Sequence, residues 1–176
     1  PDDDVRDLAE AADGSVWVAT AGGHARLSRL QPGAAWQVVD TGDFVGVTVD
    51  TDGFTWAADA DGILRRYDVA GANPSVVETD VPSPRIESLE SGASGGVFVA
   101  IHSGIGRSSS LLTRLRIDGT TVVRDTIRTG ANAFAIQRAH DASMWWGVAR
   151  NFDSGAPPLL ERWRNGSVAT FDLGLE

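Results

Sequence analysis

Few residues of this 176-residue chain could do chemistry, and they are scattered. The three histidines, His24, His102 and His140, lie far apart, so no short-spaced pair flanks a carboxylate as a metal or hydrolase motif would require. Cysteine is absent, which excludes disulfides, thiolate metal sites and a cysteine nucleophile. Two carboxylate runs stand out: Asp50-Thr51-Asp52-Gly53 and Asp59-Ala60-Asp61-Gly62. Clustered carboxylate oxygens suit a hard cation such as calcium, but neither run continues into a twelve-residue loop with its distal glutamate. Asp-Gly is also the ordinary chemistry of a hairpin turn that needs positive φ. The glycines after His102, up to Leu111, have the look of a phosphate cradle. That chemistry wants a helix after the loop and usually a lysine, and all 15 basic residues here are arginine. Asn165-Gly166-Ser167 spells a glycosylation acceptor, which has meaning only in a eukaryotic secretory setting.

These residues sit on a repeat. Asp13-Gly-Ser-Val-Trp17-Val-Ala-Thr20 lines up with the stretches around Trp56, Phe98 and Trp145, the aromatic recurring after 39, 42 and 47 residues. Two more columns keep the same register: Leu8, Val47, Leu89 and Ile136 upstream, and Arg26, Arg66, Arg114 and Arg162 downstream, each arginine followed by a bulky apolar residue. A period in this range marks an array whose units cannot bury their apolar faces alone. Within a unit, apolar runs of about 4 to 8 residues are divided by Asp-Gly turns, the signature of strands and hairpins. Unit two shows it best, with runs at 44–49, 54–58, 63–67 and 75–79. Four antiparallel strands per unit describe a β-propeller blade, so the expected fold is all-β: four four-stranded blades at about 5–42, 43–82, 83–129 and 130–176, with almost no helix. Pro1 to Asp4 reads as a solvated lead-in or the end of a linker, and a start without methionine suggests that a leader or longer N-terminal region has been removed or left out.

The pattern of Asp52-Gly53-Phe54-Thr55-Trp56 followed by Asp61-Gly62-Ile63-Leu64-Arg65-Arg66-Tyr67 resembles the two-component-regulator propeller repeat and its streptogramin-lyase-like relatives. The resemblance implies rings of six or more blades, and for the lyases a histidine and glutamate set near the ring centre. No residues here match that set. Four complete blades leave three assemblies open: a closed four-blade ring, two chains forming an eight-blade ring, or part of a larger propeller. An open arc would expose apolar flanks, so association by a homo-oligomer or by further blades is expected over a closed monomer.

With the strands of a blade called A to D from the inside out, the D to A and B to C connections of a propeller share one face. His24, Asp59, Asp61, Arg85, His102, Arg107, Arg150, Asn151 and Asp153 fall on it, the two long connections 102–111 and 150–158 making the contacts. Repeat-equivalent Trp17, Trp56, Phe98 and Trp145 are expected in the core. Trp36, Trp146 and Trp163 break the equivalence and are the aromatics left for a glycan platform. The arginine column is expected to pair with carboxylates on the outer strands. With 24 acidic residues the net charge is -9, which disfavours nucleic acid and anionic membranes, and no run of 18 apolar residues could span a bilayer. The reading is a non-catalytic binding or assembly module outside the cytoplasm (secreted, periplasmic or at the cell surface). It needs no cofactor or metal and recognises a protein or a small-molecule or glycan ligand. The rival is a lyase or hydrolase with its site at the ring centre.

Overall fold

The computed structural model describes residues 3–81, 84–103, 110–129, 132–149 and 159–173. Sixteen strands form four separate four-stranded antiparallel sheets, and no helix occurs among the described residues. The first sheet is β1 (Asp3–Glu10), β2 (Val16–Gly22), β3 (Arg26–Leu30) and β4 (Gln37–Thr41). The second is β5 (Phe44–Val49), β6 (Thr55–Asp59), β7 (Leu64–Tyr67) and β8 (Ser75–Val77). The third runs through β9 (Pro84–Ser91), β10 (Val97–Ser103), β11 (Leu111–Asp118) and β12 (Thr121–Thr129), and the fourth through β13 (Asn132–Arg138), β14 (Met144–Ala149), β15 (Leu159–Arg164) and β16 (Ser167–Asp172). Each sheet meanders in sequence order, as blades do. Asp3 and Asp4, expected as lead-in, pair with Gly22 and Ala21 in β1, because ladder bonds come from the backbone and tolerate acidic side chains at an edge.

Consecutive sheets pack face to face: β1 and β2 on β5, β5 and β6 on β9, and β9 to β11 on β13. No comparable packing joins the fourth sheet to the first among the described residues. Each sheet therefore has a leading face toward its predecessor and a trailing face toward its successor. One core cluster lies at each junction. Trp17, Ala19 and Leu27 meet Phe44, Val47 and Ala57; Trp56, Ala58 and Leu64 meet Ile86, Leu89 and Val99; Phe98, Ala100 and Leu112 meet Ala133, Ile136 and Trp146. Polar clamps cross the same junctions. The Tyr67 hydroxyl donates to Asp40 Oδ2 at 2.7 Å, Gly95 N–H donates to Thr51 Oγ1 at 2.7 Å, and Arg128 pairs with Glu161 at 3.0 Å.

The arginine column does something other than expected. Cross-strand pairing sets Trp17 beside Arg29, Trp56 beside Arg66, Phe98 beside Arg114 and Trp145 beside Arg162, so the first member is Arg29 and not Arg26. Each guanidinium lies over its aromatic ring, 5.2 to 5.9 Å from the centroid. The four buried Nε atoms find no hydrogen-bond partner. Stacking, worth ~0.5 to 2 kcal/mol per pair, is what the column shares. Among the described residues an ion pair accompanies it only in the first sheet, where Arg29 reaches Asp13 at 3.0 Å.

Two aromatic expectations are corrected. Trp146 is fully buried, donating its indole N–H to the equally buried Glu161 at 3.0 Å, and Trp163 packs on Phe98 with centroids 5.3 Å apart. In the fourth sheet the ring at the repeat position, Trp145, is only half-buried. Of the three aromatics proposed for a glycan platform, only Trp36 is exposed.

Candidate functional site

At one end of the blades the D to A links and B to C turns are joined by backbone bonds, Gly42 N–H to Ala25 O at 3.1 Å and Ala60 N–H to Asp43 O at 2.7 Å. The sequence-predicted residues that the structure describes lie on or beside this rim. His24 is exposed in the β2–β3 turn, and Asp61 is exposed in the β6–β7 turn. Arg85 and His102 are not in loops. They are directly opposed partners on β9 and β10, since both strands run further toward the rim than the sequence suggests. Arg85 is exposed and pairs with Glu87 at 3.0 Å, while His102 Nδ1 lies 2.9 Å from Ser110 Oγ. The Asp59–Gly62 turn abuts Pro84 at the start of β9, bringing the second blade's turn beside Arg85. Arg107, Arg150, Asn151 and Asp153 lie outside the described residues.

Asp59 is buried and already occupied. Its Oδ1 accepts from Asp61 N–H at 3.1 Å and Ile63 N–H at 2.8 Å, and its Oδ2 meets Arg65 at 2.6 Å. Asp50 does the same work: it accepts from Asp52 and Phe54 N–H at 3.0 Å each and from the Trp56 indole at 2.8 Å. These bonds are those of side-chain-capped turns. Among the described residues no group of three or more histidines and carboxylates is placed to hold a metal.

A concavity of about 290 Å³ lies among the first strands of the four sheets. It is lined by Arg6, Asp7, Gly46, Glu87, Ser88, Glu90 and Gln137 among others, all from the innermost strands β1, β5, β9 and β13. No motif announces these residues. The signal available was the polar partner of each apolar A-strand residue, which alone looks like ordinary strand alternation. Asp7 Oδ2 accepts the Val47 N–H at 2.9 Å across the first junction, and Ser88 Oγ accepts the Ile136 N–H at 3.2 Å across the third. Gln137 reaches Glu90 at 3.5 Å.

Burial pushes the Asp7 carboxyl above the usual carboxylate range, in part offset by the N–H donors of Val47 and Leu8. A raised folded-state value means that this term favours the fold below the unfolded value and is lost as pH rises through the folded one. Asp7→Asn, which keeps an oxygen for Val47, is therefore expected to raise the denaturation midpoint at pH 7. The gain should shrink as pH falls into the acid range, where the wild-type carboxyl takes up its proton sooner than a solvated one would. Urea unfolding of both proteins across a pH series from 7 downward checks this.

No model of a known protein family matches the chain, and neither does any curated protein. Solved structures do match. The chain is similar to virginiamycin B lyase from Staphylococcus aureus (13% identity, 97% of this chain and 56% of that one, TM-score 0.71). It is also similar to a gluconolactonase from Xanthomonas campestris (14%, 94% and 61%, 0.66). A third likeness is to the extracellular domain of a hybrid two-component system from B. thetaiotaomicron (11%, 96% and 22%, 0.63). The chain thus spans little more than half the length of the lyase. Enzymes and the extracellular domain of a two-component system share the architecture, which fits either a catalytic or a binding function. At these identities the likeness speaks for architecture alone: the chain has the β-propeller fold.

Proposed function

We propose that the chain is a non-catalytic recognition module working outside the cytoplasm, with its ligand held against the rim where His24, Asp61 and Arg85 are exposed. One observation carries this reading. The buried carboxylates that could serve as acid, base or metal ligand, Asp50, Asp59 and Glu161, are each engaged by three donors of the fold itself. Spent in this way, they support structure and not turnover. The exposed groups sit instead at strand ends and tight turns, a rigid frame suited to selecting a protein, glycan or other small polar ligand. The extracellular neighbour favours a secreted, periplasmic or surface location, and no described helix is long and apolar enough to cross a membrane.

The axial groove favours a second reading, a lyase or hydrolase, because Asp7 there holds its proton more readily than a solvated carboxylate would. The two readings separate in one experiment. A glycan and peptide array is probed with the wild type and with Arg85→Ala, alongside turnover assays on an aldonolactone and a cyclic depsipeptide lactone. The expected result is a bound class weakened at least ~10-fold by the substitution, the loss of a charge-assisted contact, with no turnover. Turnover abolished by Asp7→Asn would instead establish the enzyme.

A further inference from the structure

Arg66 is an arginine that its own blade does not hold. In the first sheet the turn after β1 supplies acceptors for the equivalent Arg29, Asp13 Oδ2 at 3.0 Å and Ser15 Oγ at 3.1 Å. In the third sheet the turn after β9 does so for Arg114, through Ser94 O, Ser94 Oγ and Gly95 O at 2.8 to 3.2 Å. In the second sheet Phe54 stands where Ser15 does, and its ring, which offers no acceptor, stacks on the Arg66 guanidinium at 3.3 Å. Asp52, the counterpart of Asp13, lies instead against the third sheet, where a Cβ on Gly95 would strike its Oδ2. Among the described residues the Arg66 guanidinium therefore has neither a hydrogen-bond acceptor nor an ion pair. Burial holds it below its ordinary pKa, and the attraction of Asp50 and Asp52 offsets only part of that cost.

Arg66 lines a cleft of about 230 Å³ between the second and third sheets, at the end of the blades opposite the rim. Asp52 enters it from the second sheet, and Ser94, Arg116 and Asp118 from the third. Asp50 is also in the lining but is spent on its three donors, and Arg116 leans on Asp125 at 3.8 Å. Asp52 and Asp118 are exposed, and their carboxylates accept no hydrogen bond among the described residues. We propose that this cleft binds a free α-amino acid, its carboxylate on the guanidinium fork of Arg66 and its ammonium on the carboxylates of Asp52 and Asp118. A planar fork with its donors open takes a carboxylate in two parallel bonds, and the stack on Phe54 fixes its plane. A simple anion would meet Asp52 and Asp118 uncompensated, and a simple cation would meet Arg66. A zwitterion answers both signs and brings no net charge. The volume lies below the ~300 Å³ at which drug-sized sites begin, so the side chain carried is a small one. Nothing in this depends on which ligand the rim selects, because the two sites lie at opposite ends of the blades.

Calorimetric titration of the chain with the common amino acids tests it, each binder being compared with its N-acetyl derivative and its decarboxylated amine. At least one small amino acid is expected to bind, and both derivatives to bind at least ~10-fold more weakly, each having lost one charge-assisted contact. Arg66→Gln should weaken binding by the same factor. Asp118→Asn, at an exposed strand end, should weaken it ~3- to 10-fold with an unchanged urea midpoint, so the result does not hinge on a variant that misfolds. Phe54→Ser gives Arg66 the oxygen that Ser15 gives Arg29, and is expected to abolish binding while β-sheet circular dichroism is kept. Arg85→Ala should change nothing, which separates this site from the rim. The proposal is overturned if no amino acid binds, if the N-acetyl derivative binds as well as its parent, or if affinity survives Arg66→Gln or Phe54→Ser. Loss of amino-acid binding in Arg85→Ala would likewise overturn it, by moving the ligand to the rim.

Discussion

Gly62→Ala is expected to destabilise the protein by about 4 kcal/mol, of which ~1 to 3 comes from backbone strain and the rest from overpacking. Gly62 has φ +80, where side chains are disfavoured, and a Cβ built there would run into the carbonyl of Pro84 on the neighbouring sheet. Backbone cannot swing aside as a side-chain tip can. The Asp59–Gly62 turn would have to withdraw from β9, opening the second junction at the rim and displacing Arg85 from it. Gly33→Ala is the control: φ is +75, but nothing lies within 4 Å of the added carbon. Its cost is expected near ~1 kcal/mol, the conformational part alone. Urea midpoints of the two variants measure the difference, and equal losses would show that the contact with Pro84 carries no energy.

Trp56→Ala and Trp145→Ala change the same repeat position and are expected to differ widely. Trp56 is fully buried in the second junction, gives its indole N–H to Asp50 and lies under Arg66. Truncation leaves a cavity, a buried carboxylate oxygen short of a donor and a guanidinium short of its platform, for a loss of about 4 kcal/mol. Trp145 is half-buried and no following sheet packs on it among the described residues, so its loss should cost about 1 to 2 kcal/mol. Urea midpoints of the two variants measure the contrast, and similar losses would mean that the junctions are not what holds these blades.

Architecture was legible because burial by a neighbouring sheet imposes the same residue at the same position in each unit, and such columns survive in the sequence. Register was less so. Arg26-Leu27 and Arg29-Leu30 fit the arginine column equally as text, and only the pairing of Trp17 with Arg29 decides between them. Trp146 next to Trp145 posed the same difficulty, because adjacent strand residues face opposite junctions. A string does not say which junction exists on which side. The site was read least well. Asp59 looked available and is consumed by its own turn, His102 looked like a loop residue and is in a strand, and Glu87, Glu90 and Gln137 lacked any pattern until four strands brought them round one axis.

Serial packing, with each sheet finished before the next begins and packed on its sequence neighbours among the described residues, has a consequence for how such a chain is made and inherited. A ribosome can release it one foldable parcel at a time, each new parcel crystallising on the last. A gene can likewise gain or drop a parcel without disturbing the remaining seams, so circumference is a trait that lineages can adjust by unequal recombination.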